Sequence, residues 1–478
     1  MGGGGPRVLS DLVARDGGAA IVRASGASVS YAELGTAIDR AASALRAAGA
    51  REERLVAIAA SDPAGVLVAS LAAWSVGSAV VPCDPRAGER GVARVIDRAR
   101  PAVVVRAATM GGDLEVTSVA FPDDAREVDP RVALLLFTSG SSAEPKGVLL
   151  SASGIEANVR AINEYLPVGA SSRVAVVVPL SYSYGLVGQA MTTLAAGGAL
   201  LLLNDIPFAT EQIDRMCALG ANGLSSVPAS LRLLARAAID KGAHPPLAFC
   251  ASAGAPLDES TIALMGEAFP GATLFNQYGL TEASPRVAWI GDRDPGFARG
   301  ASGRAVDGVE IRVVSEDGAP RASGEDGEIE VRGASVMLGY LDDPEATSRA
   351  ISRDGWLRTN DVGMVDADGC LYVRGRSDGV VKCAGERVGL EEVAAVLRRA
   401  PHVRDACVIA TPDAAMGSEL HAFVECDEPA FAGLNAFARS ELSPAKRPRR
   451  YQRLDALPRT PNGKIALAAL RAKIGQPS

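Results

Sequence analysis

The sequence predicts an α/β protein in which a long N-terminal part forms parallel, doubly wound sheets and a small C-terminal part is an α+β unit. Apolar segments with helical and strand periodicity alternate along residues 27–290, which is typical of parallel sheets covered by helices. Residues 300–376 contain short strands separated by Gly and Asp turns, a pattern that predicts antiparallel β-structure. The segment after residue 379 spans about 100 residues, a common size for one domain.

The individual elements follow from local patterns. Residues 27–49 predict a helix with serine caps and a 3.6-residue period, and residues 54–60 predict the strand after it. The alternation continues through further segments, which are ALLLL (199–203), LSSVPASLRLLARAAI (224–239), LAFCASAGAPL (247–257) and ATLFNQYG (272–279). Near the C-terminus, residues 429–442 predict one more helix.

An uncharged stretch, residues 174–203, is long enough to span a bilayer. Prolines, serines and glycines interrupt it at intervals that suit strand, turn, helix and strand, so a buried βαβ unit is the better interpretation. We therefore expect no membrane span.

Composition excludes some partners. The 478 residues carry a net charge of -7 and only 4% aromatic residues, so neither a broad nucleic-acid surface nor attraction to anionic lipid is expected. The seven cysteines are scattered and never paired as CxxC, which disfavours a disulfide framework and a zinc cluster. The first residues lack the pattern of a secretory signal, and we expect a cytoplasmic protein.

The segment TSGSSAEPKG (138–147) follows an apolar strand and predicts a phosphate-binding loop. Small residues let backbone N–H groups approach phosphates, hydroxyls add donors, and the lysine adds positive charge. The spacing is not that of a Walker A loop, and by itself the segment could equally be a flexible surface loop.

Three more segments follow in order: LFNQYGLTEAS (274–284), GWLRTNDVG with YVRGRSDGVVKCAGERVG (355–389), and LPRTPNGKI (457–465). Together with the loop at 138–147 they resemble the motif series of the adenylate-forming superfamily, which includes acyl-CoA and aryl-CoA synthetases, nonribosomal peptide adenylation domains and beetle luciferases. The resemblance extends over residues 28–470. It implies a large N-terminal domain of two doubly wound sheets with a small β-barrel-like subdomain, and a small mobile α+β C-terminal domain.

The resemblance implies boundaries as well: an adenylation core at 1–376, a hinge at 377–379 that contains Asp378, and a mobile domain at 380–478. It also implies the residues that bind ATP, which are Thr138, Ser139, Gly140, Ser141, Ser142, Lys146, Gly254, Ala255, Pro256, Asn276, Gln277, Tyr278, Gly279, Thr281, Asp361, Arg376 and Lys464.

Four of the implied residues act in catalysis. They are Lys464, Thr281, Glu282 and Lys146, and Glu282 with Thr138 is implied to hold Mg²⁺. The family chemistry joins a carboxylate to the α-phosphate of ATP, so the cations must cancel repulsion between two anions and stabilise the leaving pyrophosphate. No general base is required for that step. Gly385 and Arg387 resemble the loop of the thiol channel.

The acid pocket is implied to include Tyr182, Tyr184, Ser252, Ala253, Gly254 and Gly279. Residues 179–190 contain no aspartate of the kind that holds an amino acid's ammonium group, which favours a carboxylic acid without an α-amino group. The small residues suit a compact aryl or short acyl group. Alternatively, both tyrosines simply fill the core.

The predicted activity is AMP-forming ligation of a small carboxylic acid to a thiol, with CoA slightly favoured as the acceptor. The alternatives are the phosphopantetheine of an acyl or peptidyl carrier protein, or an amine. Residues 446–464 hold seven basic residues against one Asp and could receive CoA phosphates or an acidic carrier helix, or form a solvated face. A catalytically idle nucleotide-binding protein and a serine hydrolase fit less well, since the motif residues are intact and no GxSxG elbow occurs. The oligomeric state is not predicted.

Overall fold

A computed structural model describes residues 5–11, 13, 18–118, 125–138, 145–383, 386–413, 417–460 and 465–474 of the chain. Within these ranges the side chains of residues 117, 118, 378, 380, 382, 386, 387 and 417 are not described. The described part is a mixed α/β structure with several sheets, as the sequence predicts. No helix in the described ranges has the length and apolar character needed to cross a bilayer.

The strands, numbered in chain order, are β1 Ala19–Arg23, β2 Ser28–Ser30, β3 Leu55–Ile58, β4 Ala79–Pro82, β5 Val103–Ala108, β6 Leu114–Ser118, β7 Val132–Thr138, β8 Lys146–Ser151, β9 Arg173–Val176, β10 Ala199–Leu202, β11 Gly223–Ser226, β12 Phe249–Ser252, β13 Thr273–Gly279, β14 Arg286–Gly291, β15 Arg304–Ala305, β16 Val309–Val314, β17 Gly327–Gly333, β18 Gly339–Tyr340, β19 Leu357–Val365, β20 Leu371–Arg376, β21 Val380–Cys383, β22 Glu386–Gly389, β23 Val403–Asp413, β24 Gly417–Cys426 and β25 Arg450–Leu454.

The α-helices are α1 Arg7–Asp11, α2 Tyr31–Ala47, α3 Pro63–Ser75, α4 Gly88–Ala99, α5 Ala152–Tyr165, α6 Ser183–Gly185, α7 Thr192–Ala195, α8 Ala209–Ala218, α9 Pro228–Lys241, α10 Glu259–Ala268, α11 Pro295–Ala298, α12 Pro344–Ala350, α13 Leu390–Arg398, α14 Glu428–Glu441 and α15 Leu467–Arg471. A π-helical segment, Leu186–Met191, joins α6 to α7.

The chain divides into two compact units. Unit 1 comprises Met1–Leu257, Leu264–Ile311 and Val331–Leu357, and unit 2 comprises Asp258–Ala263, Arg312–Glu330 and Arg358–Ser478. The predicted domain boundary at 377–379 stays a prediction.

Unit 1 contains two large sheets. The first has the described order β15-β14-β13-β12-β11-β9-β10-β1-β2, and its strands from β13 through β1 run parallel. The second has the order β18-β8-β7-β4-β3-β5-β6, with β7, β4, β3 and β5 parallel. Both sheets have antiparallel edges formed by hairpins, such as β7 with β8 and β13 with β14. Their central strands are buried along their whole length, which explains their continuous apolar sequences.

Local chemistry explains the element boundaries. Helix α2 begins at Ser30, whose hydroxyl accepts a hydrogen bond from the Glu33 N–H while the Glu33 carboxylate accepts one from the Ser30 N–H. Residues 174–203 form β9, the α6–π–α7 helix and β10, so the predicted βαβ unit is confirmed.

Unit 2 contains most of a four-stranded sheet, ordered β16-β17-β19-β20, and a three-stranded sheet, ordered β23-β24-β25. Helices α13 and α14 pack on the latter through a core that includes Val393, Leu397 and Leu434. The buried guanidinium of Arg398 joins α13 to β23, since its Nε lies 2.9 Å from the Asp405 carboxylate.

Candidate functional site

The carboxyl ends of β11, β12 and β13 carry the predicted nucleotide motifs in unit 1. Ser226, Ser252 and Asn276 are aligned across these parallel strands. After β12, Gly254 adopts a φ of +83°, which favours glycine, and the segment Gly254–Pro256 is exposed. Ligands of parallel α/β sheets commonly bind at this edge.

Strand β13 alternates between two faces. Asn276 and Tyr278 lie half-buried on one face, and the Asn276 amide nitrogen donates to the Ala301 carbonyl oxygen at 3.0 Å. Gln277 points to the other face, where it is 4% exposed and donates to the Tyr165 hydroxyl at 2.9 Å. The structure therefore places the Gln277 side chain away from Asn276 and Tyr278, with which the resemblance had grouped it.

Gly279 ends β13 where the backbone folds back closely. A Cβ atom at Gly279 would lie 1.9 Å from the Pro285 carbonyl oxygen, so any side chain would force the backbone apart. The residues that follow, Thr281 to Ala283, form a 3₁₀ turn. This turn brings the Thr281 hydroxyl to 3.4 Å from that of Ser183, at the start of α6.

The phosphate-loop segment leaves β7 at Thr138 and returns at the start of β8. Thr138 and Lys146 are directly opposed in this hairpin, and the Thr138 hydroxyl lies 3.5 Å from the Lys146 carbonyl oxygen. Both side chains are half-buried. The predicted residues Ser139, Gly140, Ser141 and Ser142 lie outside the described residues.

Tyr340 connects this hairpin to the turn after β13. It pairs with Val148 on β8, and its ring centroid lies 4.8 Å from the Lys146 ammonium nitrogen. Its hydroxyl donates to the Glu282 carboxylate at 3.1 Å. One aromatic side chain thus contacts two residues that were predicted from separate motifs, and it holds a cation and an anion at the edges of the two sheets.

The Glu282 carboxylate suits a divalent cation. It is half-buried, and among the described residues no Lys or Arg forms an ion pair with it. Its negative charge is therefore not neutralised within the described part of the chain. Carboxylate and hydroxyl oxygens are the ligand types that Mg²⁺ prefers, so Glu282 and Thr138 fit the predicted metal.

Two of the predicted ATP-binding residues are adjacent in unit 2. Asp361 on β19 and Arg376 on β20 are directly opposed, with 3.7 Å between a carboxylate oxygen and a guanidinium nitrogen. Arg376 also donates to the Thr359 carbonyl oxygen at 3.2 Å. Asp361 is 9% exposed, whereas Arg376 is exposed.

Four predicted residues of unit 2 lie wholly or partly outside the described residues. Lys464 and Gly385 lie outside the described residues, as do the side chains of Asp378 and Arg387. For the last two the backbone is described: Asp378 lies in the 3₁₀ turn Ser377–Gly379, and Arg387 pairs with Lys382 in the β21–β22 hairpin.

The two predicted pocket tyrosines have different surroundings. The Tyr182 hydroxyl donates to Asp84 at 3.2 Å, beside a cavity of about 620 Å³ lined by residues such as Asp84, Arg86, Ser181 and Asn204. Burial opposes ionisation of Asp84, but hydrogen bonds and charge from Arg86 outweigh it, so the pKa of Asp84 lies below its usual range. Burial raises the pKa of Tyr182.

Tyr184 instead faces Arg286, the first residue of β14. The Arg286 guanidinium carbon lies 5.3 Å from the Tyr184 ring centroid, and Arg286 is 2% exposed. Burial raises the pKa of Tyr184 to about 12. Tyr165 at the end of α5 accepts a hydrogen bond from Gln277 and lies close to Arg286.

The sequence reasoning missed Arg286, Tyr165 and Tyr340. Arg286 stands at the head of the apolar segment RVAWIG, and a charged residue at a buried strand position was the signal available. Of the predicted pocket residues, Ser252 ends β12 with its side chain on the face of Asn276, and Ala253 follows the end of that strand.

Comparison with known proteins places this arrangement in a family. The family model described as "AMP-binding enzyme" matches residues 10–341, more than half of the chain. The chain belongs to the AMP-binding enzyme family. The "AMP-binding enzyme C-terminal domain" model matches residues 392–464. The predicted membership of the adenylate-forming superfamily is thereby confirmed.

Two curated relatives and one solved structure illustrate the similarity. The sulfoacetate–CoA ligase of Cupriavidus necator is 35% identical over 343 residues, and the match spans 70% of this chain but only 65% of that protein. Feruloyl-CoA synthase of Amycolatopsis is 29% identical over 491 residues, 96% of each chain. The crystal structure of ATP-bound MatB from Rhodopseudomonas palustris has a TM-score of 0.85 at 26% identity and covers 99% of both chains. The predicted fold class is confirmed by this last likeness.

Proposed function

We propose that this AMP-binding enzyme is an ATP-dependent ligase that converts a small carboxylic acid to an acyl adenylate and then to a CoA thioester. The observation that carries the proposal is the Lys146–Tyr340–Glu282 assembly. It lies at the strand ends where the family motifs meet, and it is the kind of site that positions a polyanion. The relatives that are named as CoA ligases support CoA as the acceptor.

In the first step, an oxygen of the substrate carboxylate attacks the α-phosphorus of ATP. The bond from that phosphorus to the oxygen bridging to the β-phosphate breaks, and pyrophosphate leaves with the electron pair. Lys146 supplies positive charge beside the leaving group, and Tyr340 keeps Lys146 and Glu282 at fixed separation. A bound Mg²⁺, which Glu282 and Thr138 would hold, would screen the phosphate charges.

Lys464 would bridge the substrate carboxylate and the α-phosphate, as the resemblance implies. Asp361 would accept hydrogen bonds from the ribose hydroxyls, and the adjacent Arg376 would orient that carboxylate. These groups act by charge and position, so the first step requires no general base.

In the second step, the sulfur of CoA attacks the acyl carbonyl carbon, the bond to the AMP oxygen breaks, and the thiol proton passes to solvent. Rotation at residues 377–379 would withdraw Lys464 from the acyl adenylate and bring the segment containing Gly385 and Arg387 to it. Exclusion of water during the exchange would protect the labile adenylate from hydrolysis.

The test couples two assays on the same purified protein. Pyrophosphate release is measured with ATP and a panel of aryl and short-chain acids, and the products are then analysed after addition of CoA, a phosphopantetheinylated carrier protein or an amine. We expect acid-dependent pyrophosphate release and an acyl-CoA product. Formation of the carrier thioester or the amide without acyl-CoA would replace the proposed acceptor, and absence of pyrophosphate with every acid would refute adenylation.

A further inference from the structure

Arg286 is a buried cation whose charge is not balanced in the described part of the chain. Its side chain is 2% exposed, and its Nε has no hydrogen-bond partner among the described residues. Within those same ranges no Asp or Glu forms an ion pair with it. A guanidinium in such a setting loses hydration without regaining an anionic partner, which costs several kcal/mol.

The aromatic neighbours of Arg286 cannot supply the missing negative charge. Burial raises the pKa of both Tyr165 and Tyr184, so both phenols stay protonated and neutral near pH 7. Tyr184 offers the face of its ring and Tyr165 lies close by, but neither neutralises a cation. The guanidinium is therefore held in place without being paired.

More unsatisfied polar atoms lie in the same cluster. The buried Tyr184 hydroxyl and the Gln277 Oε1 have no hydrogen-bond partner within the described ranges. Gln277 donates a hydrogen bond to Tyr165, which in turn stacks on Trp289 with 4.3 Å between ring centroids. The cluster thus combines a buried cation with an unpaired hydroxyl and an unpaired amide oxygen, beside the Tyr165–Trp289 stack.

The position of the cluster of Arg286, Tyr184 and Gln277 indicates that its ligand is the acid substrate rather than the nucleotide. Gln277 lies on the face of β13 opposite Asn276 and Tyr278, which the resemblance implies contact the adenine of ATP. On the cluster's face, the neighbouring strands carry short side chains, Ser225 and Ala251, which are aligned with each other. Ala251 packs against Phe249 and Phe275 in an apolar cluster, so Arg286 places a charge beside a largely apolar face.

We propose that the acid activated by this enzyme is short and carries a second anionic group, a carboxylate or a sulfonate, and that Arg286 is the partner of that group. Arg286 would form charge-assisted hydrogen bonds to the distal anion. The Tyr184 hydroxyl would donate a further hydrogen bond to the same group. The reacting carboxylate would remain free to attack the α-phosphate. The inference rests on the proposed adenylation and names the substrate class for that site.

The test compares acids of matched length: propanoate with propanedioate and sulfoacetate, and butanoate with butanedioate and 3-sulfopropanoate. We expect wild-type kcat/KM for pyrophosphate release to be higher for the doubly anionic acids by about 10²- to 10⁴-fold, since a site built for a buried polar group rejects an analogue without it. Comparison of the carboxylate and sulfonate arms identifies the preferred anion. Equal rates with the singly and the doubly anionic acids would overturn the inference while adenylation stands.

Arg286→Gln should remove most of this discrimination, and Arg293→Gln, at an exposed arginine of the same unit, should leave it unchanged. ATP affinity measured without acid should be the same in both variants. A loss of ATP affinity in Arg286→Gln would make the nucleotide the partner of the guanidinium and overturn the inference.

Arg286→Met separates a binding role from a structural one. Replacing an unpaired buried charge by an apolar side chain is often neutral or stabilising, so we expect an unchanged or higher melting temperature together with lost discrimination. In the wild type, the doubly anionic acids alone should raise the melting temperature, and in Arg286→Met they should not. Strong destabilisation of Arg286→Met, with no shift of the wild type by these acids, would show that Arg286 only supports the fold. Absence of pyrophosphate with all acids, despite such a shift, would instead refute the proposed ligase activity and leave anion binding in place.

Discussion

Tyr340→Phe is the most informative single change at the nucleotide site. The substitution removes the hydroxyl that donates to Glu282 at 3.1 Å, but it keeps the ring that lies 4.8 Å from the Lys146 nitrogen. The substitution therefore tests the Tyr340–Glu282 hydrogen bond separately from the contact between the ring and Lys146. Because Tyr340 is half-buried in a two-residue strand, loss of one oxygen atom should leave the fold intact.

The magnitude follows from the hydrogen bond. A bond to a charged group contributes about 1.5–3 kcal/mol when buried, and partial exposure of both partners reduces this to about 1 kcal/mol. Since about 1.4 kcal/mol corresponds to a factor of ten, kcat/KM for pyrophosphate release should fall about fivefold. Tyr340→Leu also removes the ring–ammonium contact, about 0.5–1 kcal/mol, and should lower kcat/KM a further two- to fivefold.

The assay is pyrophosphate release at limiting acid, with melting temperature as the measure of folding. Tyr372→Phe is the matched control, because the Tyr372 hydroxyl also lies 3.1 Å from a carboxylate, that of Asp366. Tyr372→Phe should not change adenylation. Unchanged kcat/KM in Tyr340→Phe, or equal losses in both variants, would refute the connecting role of Tyr340.

Three further outcomes are expected. Gly279→Ala should reduce adenylation severely and lower the melting temperature, because the new Cβ would lie 1.9 Å from the Pro285 oxygen; a fully active, equally stable variant would contradict the close approach. Lys464→Ala should suppress pyrophosphate release while sparing thioester formation from supplied acyl-AMP, and equal loss of both steps would remove its assigned role. Asp378→Pro should lower thioester formation more than adenylation, as a hinge requires; unchanged thioester turnover, measured as acyl-CoA, would exclude a hinge there.

Much of the fold could be predicted because local patterns and tertiary packing agree. The predicted serine cap of α2 is present at Ser30, and the apolar runs of β3, β4 and β12 are buried along their length. The uncharged stretch at 174–203 was interpreted correctly because prolines and glycines mark the ends of its strands and helix.

The contacts within the site could be predicted less well, since they depend on register between distant strands. Tyr340 reaches Lys146 and Glu282 because β18 pairs with β8, and nothing near Tyr340 in the sequence indicates that pairing. Alternation along β13 likewise separates Gln277 from its neighbours Asn276 and Tyr278, although all three lie in one motif.

The burial and contacts of Arg286 could not be predicted from the sequence. A motif describes what members of a family share, whereas the substrate is chosen by residues that differ between them. Only the structure shows that this arginine is 2% exposed and lies against Tyr184.

The most direct test of the account is exchange of labelled pyrophosphate into ATP, measured with and without a short dianionic acid. The wild-type enzyme should show exchange that depends on the acid, and Glu282→Gln should show almost none although it remains folded. Wild-type protein that binds ATP but gives no exchange with any acid, or Glu282→Gln protein that exchanges at the wild-type rate, would contradict adenylation at this site.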